Sequence, residues 1–307
     1  MSTIIGNPIM LGARGGISAP IIGKDFNWTG GDGTYQVLDV GDKNWRIKFL
    51  SSGTFTPLKN MTIDVFCVGG GGSGGLSMGG SSTNYLSAGT GGGGGYTTTS
   101  KSIVLTADME YSVVIGAGGV GPTATNDNSE SDGTNGGETS GFGVSAMGGY
   151  GGKKSGSTSS ATTHRGGNGG SGGGGCDKNR GYNGGSDGSD GFCGSYDTKG
   201  IGQGTTTREF GESTGDLYAG GGGAGAGSTS YQPGAGGAGG GGSGCAAGTN
   251  LSTTSPNPSI NGEENTGGGG GGNHITQVSG GISWDYMSAG NGGSGIVIIR
   301  KHKEAAA

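Results

Sequence analysis

Four interruptions of a glycine-rich sequence combine tyrosine with polar side chains, the composition of many recognition loops. Tyrosine supplies rigid contact area with a polar tip, and neighbouring Ser, Asn and Gly adapt the hydrogen bonding. The sequence therefore predicts binding residues in these stretches; the alternative is that the tyrosines only cover the ends of glycine segments. The candidates are Asn84 and Tyr85 in "SSTNYLSAGT", Lys178, Arg180 and Tyr182 in "CDKNRGYN", Tyr196 in "GSYDTKG", and Tyr231 in "STSYQPG".

Catalytic and metal-binding patterns are weak by comparison. The three histidines, His164, His274 and His302, are scattered and lack partners at zinc-ligand spacing. No nucleophile, base and orienting acid can be assembled from the sequence, so we expect neither an enzyme nor a cofactor. The segment "TTTREFGESTG", 205–215, alternates through Thr205, Thr207 and Glu209, which predicts a strand with an exposed face.

Two glycine-containing strings imitate ligand motifs. "GAGGVG", 116–121, matches a dinucleotide fingerprint, but the "PTATNDNSESDG" that follows cannot supply the helix whose N-terminus faces the pyrophosphate. "GGSDGSDGF", 184–192, is similar to a calcium-binding nonapeptide, yet its Gly and Asp positions are out of phase and no tandem copy follows. Asp187 and Asp190 are expected to be solvated turn residues, with a calcium site as the open alternative.

The composition restricts the class of protein. Glycine supplies 85 of 307 residues, so an ordinary globular enzyme of this length is not expected. The net charge is only −5, from 17 basic and 22 acidic residues, which is too small to keep the chain expanded. The absence of a basic run argues against nucleic acid and anionic membranes as partners. No apolar stretch approaches the roughly 20 residues of a membrane-spanning helix, and the N-terminal sequence predicts no signal peptide.

The four cysteines show neither C-x-x-C pairs nor dense spacing. Cys67 alternates with Ile63 and Val65 on one predicted strand face, so we expect buried free thiols. A bridge between Cys176 and Cys193 is the main alternative.

Strand patterns bracket the glycine. Apolar residues alternate with polar ones from Trp45 to Phe49, and strong strands are predicted at 62–68 and 295–302. Further strands are predicted at 103–107, 111–115, 142–146 and 282–286. Helical periodicity extends nowhere over a useful length. The sequence therefore predicts an all-β fold in which terminal strands close one sandwich and glycine occupies the connections between strands.

The glycine blocks lack the strict three-residue repeat and the proline content of collagen. A threefold extended helix points backbone N–H and C=O groups outward, and chains without Cβ atoms approach closely enough to bond helix to helix. We therefore predict a bundle of polyglycine II helices inserted into the β-sandwich; flexible linkers are the alternative. The blocks are 69–72, 91–95, 172–175, 220–223, 236–242 and 267–272.

From about Trp45 to His302 the sequence resembles glycine-rich proteins encoded in phage and prophage tail regions. The segments that carry the resemblance are "WRIKFLSSGTFTPLKNMTIDVFCVGGGGSGG", "GGGGGYTTTSKSIVLTADMEYSVVIGAGGVG", "SGFGVSAMGGYGG", "GQGTTTREFGESTGDLYAGGGGAGAG" and "GGSGIVIIRKH". It is more distantly similar to the glycine-rich region of anaplastic lymphoma kinase type receptors, which implies a tumour-necrosis-factor-like sandwich carrying polyglycine helices, and to phage tail-fibre tip adhesins.

These likenesses imply a phage tail or tail-fibre component, made in the host cytoplasm and assembled into the virion. Its expected partners are a bacterial cell-surface protein or glycan and other virion tail proteins, with neither nucleic acid nor membrane insertion. The alternative is a structural fibre, filament or decoration protein without a specific receptor. We assign residues 1–44 to attachment or homo-oligomerisation, 45–303 to the glycine-rich domain and 304–307 to a disordered tail.

Overall fold

A computed structural model describes residues 19–39, 45–79, 88–123, 130–154, 165–177, 180–194, 197–227, 231–245, 259–276 and 288–302. Across these ranges the fold is all-β, as predicted, and the sole helical element is a short 3₁₀ turn at Glu209–Gly211. The strands are β1 (Phe26–Trp28), β2 (Tyr35–Asp39), β3 (Trp45–Phe49), β4 (Gly53–Pro57), β5 (Met61–Val68), β6 (Leu76–Gly79), β7 (Thr97–Leu105), β8 (Tyr111–Val114), β9 (Thr139–Gly141), β10 (Val144–Ala146), β11 (Cys176–Asp177), β12 (Arg180–Gly181), β13 (Asn273–Thr276) and β14 (Ile296–Lys301).

Two antiparallel five-stranded sheets enclose one hydrophobic core. The first sheet has the order β1-β4-β8-β9-β10 and the second has the order β2-β3-β14-β5-β7. In β3, Trp45, Ile47 and Phe49 are buried and alternate with half-buried residues, which confirms the predicted period. Phe49 of the second sheet packs edge-on against Phe55 of the first, with ring centroids 5.7 Å apart. The aromatic side chains therefore join the two layers.

The sheets extend beyond the predicted N-terminal boundary of the domain. β1 pairs with β4, and β2 pairs with β3. Residues 26–39, which the sequence analysis assigned to an attachment segment, thus supply strands to both sheets. Residues 1–18, 40–44 and 303–307 lie outside the described residues, as does the strand predicted at 282–286.

A second core covers the outer side of β5 and β14. Phe66 packs against Phe210 and Tyr218, whose ring centroids lie 5.9 and 5.5 Å away. The strand predicted at 205–215 is therefore wrong, because this segment folds as a bridge at Arg208 followed by the 3₁₀ turn. Glu209, predicted on an exposed face, is 1% exposed and pairs with Arg46.

Glycine segments continue from the second sheet at one end of its strands. Val68, at the end of β5, is the register partner of both Ile296 and Thr97, so three strands begin or end at the same level. The segments that follow or precede these strands are 69–75, 90–96 and 288–295. We call the part of these segments next to the strands the proximal end of the glycine segments.

Hydrogen bonds from segment 69–76 rotate through three neighbours. Residues 69, 72 and 75 donate to the carbonyls of Tyr96, Gly93 and Thr90. Residues 70, 73 and 76 donate to segment 131–137, and residues 71 and 74 donate to segment 290–293. Every third residue therefore returns to the same neighbour, each time three residues earlier along that neighbour.

Segment 90–96 repeats the pattern with different neighbours. Its amides donate to segments 147–153, 171–174 and 267–270, again at intervals of three residues. Segment 220–225 likewise donates in turn to segments 239–242, 182–185 and 89–92. The backbone groups of buried glycine are thus paired with backbone from distant parts of the chain, as buried polar groups require.

Close approach explains why these positions are glycine. A Cβ atom on Gly72 would collide with the carbonyl of Tyr150, and one on Gly91 would collide with the carbonyl of Gly222. The obstructing atoms are backbone, which cannot move aside without disturbing the neighbouring segment. Glycine is therefore required by the contacts between segments.

The opposite end of the glycine segments, here called the distal end, is marked by a small cluster. Ala88, Cys176 and Ala224 pack together there, and the Cys176 thiol donates to the Ala88 carbonyl at 3.1 Å. The parallel strands β6 and β13 lie at the same level, because Asn273 N bonds to the Gly75 carbonyl. The distal end is one full glycine segment away from the two five-stranded sheets.

The four cysteines are free thiols, as predicted, and three of them are buried. Cys67 is a fully buried thiol, and burial raises its pKa to about 12. Cys176 and Cys193 do not form a disulfide; Cys176 is buried and Cys193 is half-buried. Cys193 is therefore an exception to the expectation that all four side chains are buried.

Candidate functional site

A cleft of about 510 Å³ lies at the distal end. It falls within the size range of small-ligand sites, roughly 300–1,000 Å³. Three separate interruptions of the glycine sequence contribute its walls, and none of the side chains is Leu, Ile, Val or Met. The lining residues are Arg180, Gly181, Tyr182, Asn183, Phe192, Tyr231, Gln232 and Pro233.

The short pair β11–β12 positions the first wall. Cys176 pairs with Gly181 and Asp177 with Arg180. Gly181 is buried against segment 224–225, where a side chain would collide with the Ala224 carbonyl. The backbone is thereby fixed while the Arg180 side chain is directed outward and exposed.

Tyr182 belongs to both the glycine segments and the cleft. Its amide donates to Gly175 at 3.1 Å, and its carbonyl accepts from Ala224 N at 3.0 Å. The half-buried side chain packs beside the Arg180 guanidinium, which lies 5.4 Å from the ring centroid. The contact fixes Arg180 over an aromatic face while leaving its charge available.

The second wall comes from Phe192. Its amide donates to Asn183 at 3.0 Å and its carbonyl accepts from Gly175 N at 2.9 Å, yet 58% of the residue is exposed. The backbone is thus well anchored under an exposed aromatic ring. Phe192 therefore offers rigid apolar area to a ligand.

The third wall is the turn 231–233, which precedes Gly234. Gly234 N donates to the Ala224 carbonyl at 2.8 Å, and Ala235 N donates to Asn183 Oδ1 at 2.8 Å. Tyr231 is 44% exposed and Gln232 is exposed. Asn183 therefore ties the third wall to the first.

The cleft is lined by one cation and by neutral polar and aromatic side chains, with the Asp177 carboxylate near Tyr182. Burial chiefly raises the pKa of Tyr182, and the nearby Asp177 carboxylate adds to this increase, so the phenol is neutral at physiological pH. Arg180 is the cation of the lining set. Within the part of the chain that the structure describes, no carboxylate lies within 4.0 Å of its guanidinium.

The structure brings together three of the seven predicted binding residues, namely Arg180, Tyr182 and Tyr231. Asn84, Tyr85, Lys178 and Tyr196 lie outside the described residues. Sequence reasoning missed Phe192, which ends the string "GGSDGSDGF". The Gly and Asp spacing of that string suggested a metal site or a turn and did not indicate an aromatic contact residue. Sequence reasoning also missed Asn183 and Gln232, which are adjacent to predicted residues.

The carboxylates of Asp187 and Asp190 accept hydrogen bonds from other parts of the protein. Asp187 accepts from Thr206 Oγ1 at 2.5 Å and from Thr207 N at 3.1 Å, and it pairs with Arg208. Asp190 accepts from Gly202 N and pairs with Lys199. The two carboxylates therefore fasten segment 184–192 to segment 199–208 while their side chains stay partly exposed, and Asp187 lies in a turn, as predicted.

One constellation has the residue types of a serine hydrolase. Ser102 Oγ lies 2.9 Å from His302 Nε2, and His302 Nδ1 lies 2.6 Å from Asp64 Oδ1. The same Oγ is also 3.4 Å from Nδ1, so it sits beside the ring between the two nitrogens and not on the Nε2 lone pair. The Ser102 amide donates to Asp64, which removes it as an oxyanion donor.

This cluster stabilises an irregular strand pairing. The register of β5 against β7 shifts between Ile63 and Val65, and Ser102 adopts a positive φ of 60° opposite that shift. Asp64 and His302 hold the bulged residue from two neighbouring strands. No local sequence pattern indicates this cluster, because its members are far apart in the chain.

Among the residues that the structure describes, no group of three or more His, Cys, Asp or Glu side chains is arranged to hold a metal ion. No helix among these residues has the length and apolar character needed to cross a membrane.

Comparison with known proteins agrees with the composition and the fold. No curated protein matches the sequence. Residues 50–302 match the glycine-rich domain family, a range that begins just after β3 and ends just after β14. It includes β4 to β14, the glycine segments and the cleft, but not β1, β2 and β3. Since the match covers most of the 307 residues, the chain belongs to the glycine-rich domain family.

Proposed function

We propose that this protein is a phage tail or tail-fibre component that acts as an adhesin, binding a bacterial cell-surface protein or glycan through residues at the distal end. The observation that carries the proposal is the convergence of residues 180–183, 192 and 231–233 in one cleft. Their backbones are fixed by glycine segments, while aromatic and cationic side chains remain exposed. Such a rigid, exposed aromatic surface is suited to recognition.

The platform in this proposal is a bundle of polyglycine II helices. A polyglycine II helix has about three residues per turn and directs its backbone groups outward. The return of every third amide to the same neighbour agrees with that period. At about 3.1 Å per residue, segment 69–75 would carry the cleft roughly 20 Å from the sheets. The two packed sheets would form the tumour-necrosis-factor-like sandwich that the sequence resemblance implies.

Described residues that flank several longer stretches of the sequence lie at the distal end with the cleft. Gly79 and Ala88 flank residues 80–87, and Lys153 and Arg165, which flank 155–164, bond to one another there at 3.1 Å. Cys245, which precedes 246–258, donates to the Gly272 carbonyl at the same level. The predicted contact residues Asn84 and Tyr85 stand between Gly79 and Ala88 in the sequence, and they are proposed to add to the same contact surface. A shared end suits a receptor-binding tip.

In the virion, residues 1–44 are proposed to attach the protein to other tail proteins or to further copies of itself. Residues 26–39 serve the sheets as well, so this attachment would arise at the end opposite the cleft. The proposed role is binding without catalysis, and the protein is proposed to be made in the host cytoplasm.

Cell binding tests the proposal. Labelled full-length protein would be incubated with a panel of bacterial strains and compared with the double variant Phe192→Ser and Tyr231→Ser, which removes the two exposed rings of the cleft. The matched control is Val104→Ser with Met109→Ser, which removes two exposed apolar side chains from β7 and the turn after it. Circular dichroism and thermal melting would show that all three proteins fold.

The adhesin proposal predicts saturable binding to at least one strain, lost in the cleft variant and retained in the control. Equal binding by both variants would reject the cleft as the contact surface. A filament or virion decoration seen by electron microscopy, with no cell affinity, would replace the adhesin by the structural alternative. Release of sugar or peptide products from cells would show an enzyme.

A further inference from the structure

The cleft contains an exposed cation next to aromatic surface, and its register partner across β11–β12 is Asp177, whose carboxylate lies beyond ion-pair distance. Arg180 is exposed, stacks beside Tyr182, and has no carboxylate within ion-pair distance among the residues that the structure describes. By contrast, Arg208 pairs with Asp187 and Arg300 pairs with Asp64. A guanidinium offers a planar fork of donors that matches a carboxylate with two parallel hydrogen bonds.

The remaining lining residues restrict the rest of the ligand. Asn183 Oδ1 already accepts from Ala235 N, so the Nδ2 hydrogens are the donors that its amide can offer. Gln232 adds a second, exposed amide, and Phe192 and Tyr231 add exposed rings. A ligand that satisfies these groups presents hydroxyls to the amides and flat apolar faces to the rings.

A peptide partner fits this lining less well. Protein and peptide hot spots lie in well-packed, fully desolvated pockets, whereas the guanidinium, the two amides and two of the rings of this cleft are exposed. A pyranose ring has both C–H faces and a rim of hydroxyls. The combination of rings, amides and one guanidinium therefore favours a saccharide that carries a carboxylate.

We propose that the cleft binds an acidic saccharide, with the sugar carboxylate on Arg180 and the sugar ring against Phe192 or Tyr231. This assignment rests on the proposed adhesive function, for which it names the ligand class. The phenol of Tyr182 and the amides of Asn183 and Gln232 would hydrogen-bond the hydroxyls. Because the cation is exposed, affinity should fall as salt is raised.

The test uses full-length protein and trisaccharides that contain glucuronate, galacturonate or sialic acid, each compared with its own methyl ester. The ester keeps the ring and its hydroxyls but removes the charge. Isothermal titration calorimetry would measure Kd for the wild type, Arg180→Gln and Arg165→Gln. Arg165 provides the matched control because it is also an arginine at the distal end, with 48% of its side chain exposed, yet it does not line the cleft.

We expect at least one acid to bind at least tenfold more tightly than its ester, and Arg180→Gln to lose that tenfold preference. Arg165→Gln should retain it. Inorganic phosphate and acetate at the same concentration should compete weakly, since they lack the ring. Failure of every acid to exceed its ester, or equal loss in both variants, would overturn the assignment.

The outcomes also separate this inference from the adhesin proposal. Cell binding that persists in Arg180→Gln would retain the adhesin and reject the acidic saccharide as its ligand. Acid-selective saccharide binding by a protein that binds no cells would retain the ligand class and reject the adhesin. The double variant Phe192→Ser with Tyr231→Ser provides a second check, since loss of both exposed rings should weaken the acid and its ester to a similar degree.

Discussion

Arg300 on β14 lies directly opposite Asp64 on β5, and its Nε donates to Asp64 Oδ2 at 3.0 Å. Both side chains are almost fully buried. Arg300 also donates to Glu212 at 2.7 Å and lies 4.1 Å from the centroid of the Phe210 ring. One guanidinium thus connects two central strands with the segment that covers them.

Removal of the buried carboxylate should be costly. We expect Asp64→Asn to reduce the free energy of unfolding by about 3 kcal/mol at neutral pH, because it leaves a buried guanidinium with one partner fewer. Urea denaturation would measure the change. The control is Asp132→Asn, which weakens an exposed pair with Lys153 and should cost at most about 1 kcal/mol. Equal effects of both substitutions would contradict the assigned role of Asp64.

The pH dependence of Asp64 follows from its lowered pKa. Burial alone would raise this pKa, but hydrogen bonds with His302, the Ser102 amide and Arg300 outweigh it and hold the pKa below the usual value. The stabilisation is therefore present above about pH 3.9, the ordinary value, and is lost as the pH falls through the lowered pKa. The stability gap between wild type and Asp64→Asn should be constant near neutrality and shrink in acid.

Glu209 should show the opposite trend. Burial raises its pKa, and the positive charges of Arg46 and Lys48 compensate only in part. Its favourable contribution is complete below about pH 4.3 and declines as the pH rises through the raised pKa. Relative to Glu209→Gln, the wild type should therefore lose stability as the pH rises through that interval. Parallel pH profiles for the Asp64 and Glu209 variants would contradict this sign.

Substitution of glycine should depend on the neighbouring backbone. Gly72→Ala places a methyl group against the Tyr150 carbonyl, and we expect it to destabilise the fold by about 3 kcal/mol or more. Gly137→Ala meets nothing closer than 3.2 Å and should change stability by less than about 1 kcal/mol. Thermal melting would compare the two. Similar melting temperatures would mean that the segments are not packed as described.

Amide hydrogen exchange should show that the glycine blocks are ordered. The amides of 91–95 and 220–223 donate to other segments and should be protected as strongly as strand amides. In block 236–242 we expect protection at Gly237 and Gly242, but faster exchange at Gly239 and Gly240, which form a turn with positive φ. Mass spectrometry with overlapping peptides would resolve these groups. Uniformly fast exchange would restore the flexible-linker alternative.

Thiol labelling should distinguish the cysteines. At pH 8 and in the folded state, Cys193 should react first, because it is half-buried while Cys67, Cys176 and Cys245 are buried. Burial also keeps Cys67 protonated at this pH. Peptide mapping after a thiol-specific reagent would identify the modified residue. Fast labelling of Cys67 in folded protein would show that the sheet core is open.

The strands that were predicted correctly are those whose pattern of apolar residues is visible within a few consecutive positions of the sequence. β3, β5 and β14 appear in the sequence as alternating or β-branched runs, and their inward side chains form the core. The prediction failed at 205–215, where threonines alternate as in a strand but Phe210 takes a positive φ and turns into the second core. The cause is tertiary, since the covering segment is stabilised by Arg46 and Arg300 on distant strands.

The candidate site was only partly predictable for the same reason. Arg180 and Tyr182 are two positions apart in the sequence, and the composition of that stretch predicted a binding loop. Their association with Phe192 and Tyr231 depends on hydrogen bonds among segments 172–175, 183–185 and 221–225. No local pattern encodes which glycine segment lies beside which, so the cleft depends on the register of these glycine segments against one another.

The hydrogen-bond partners of a glycine segment repeat every three residues, and this repeat restricts how the length of the segment can change. Inserting one residue after Gly71 would turn every later donor of that segment toward the wrong neighbour, because each residue faces one of three directions in rotation. Three inserted residues would restore the original facing. Changes in the length of these glycine segments should therefore come in multiples of three residues, whereas a change of length outside the paired segments would leave the facing of these donors unaltered.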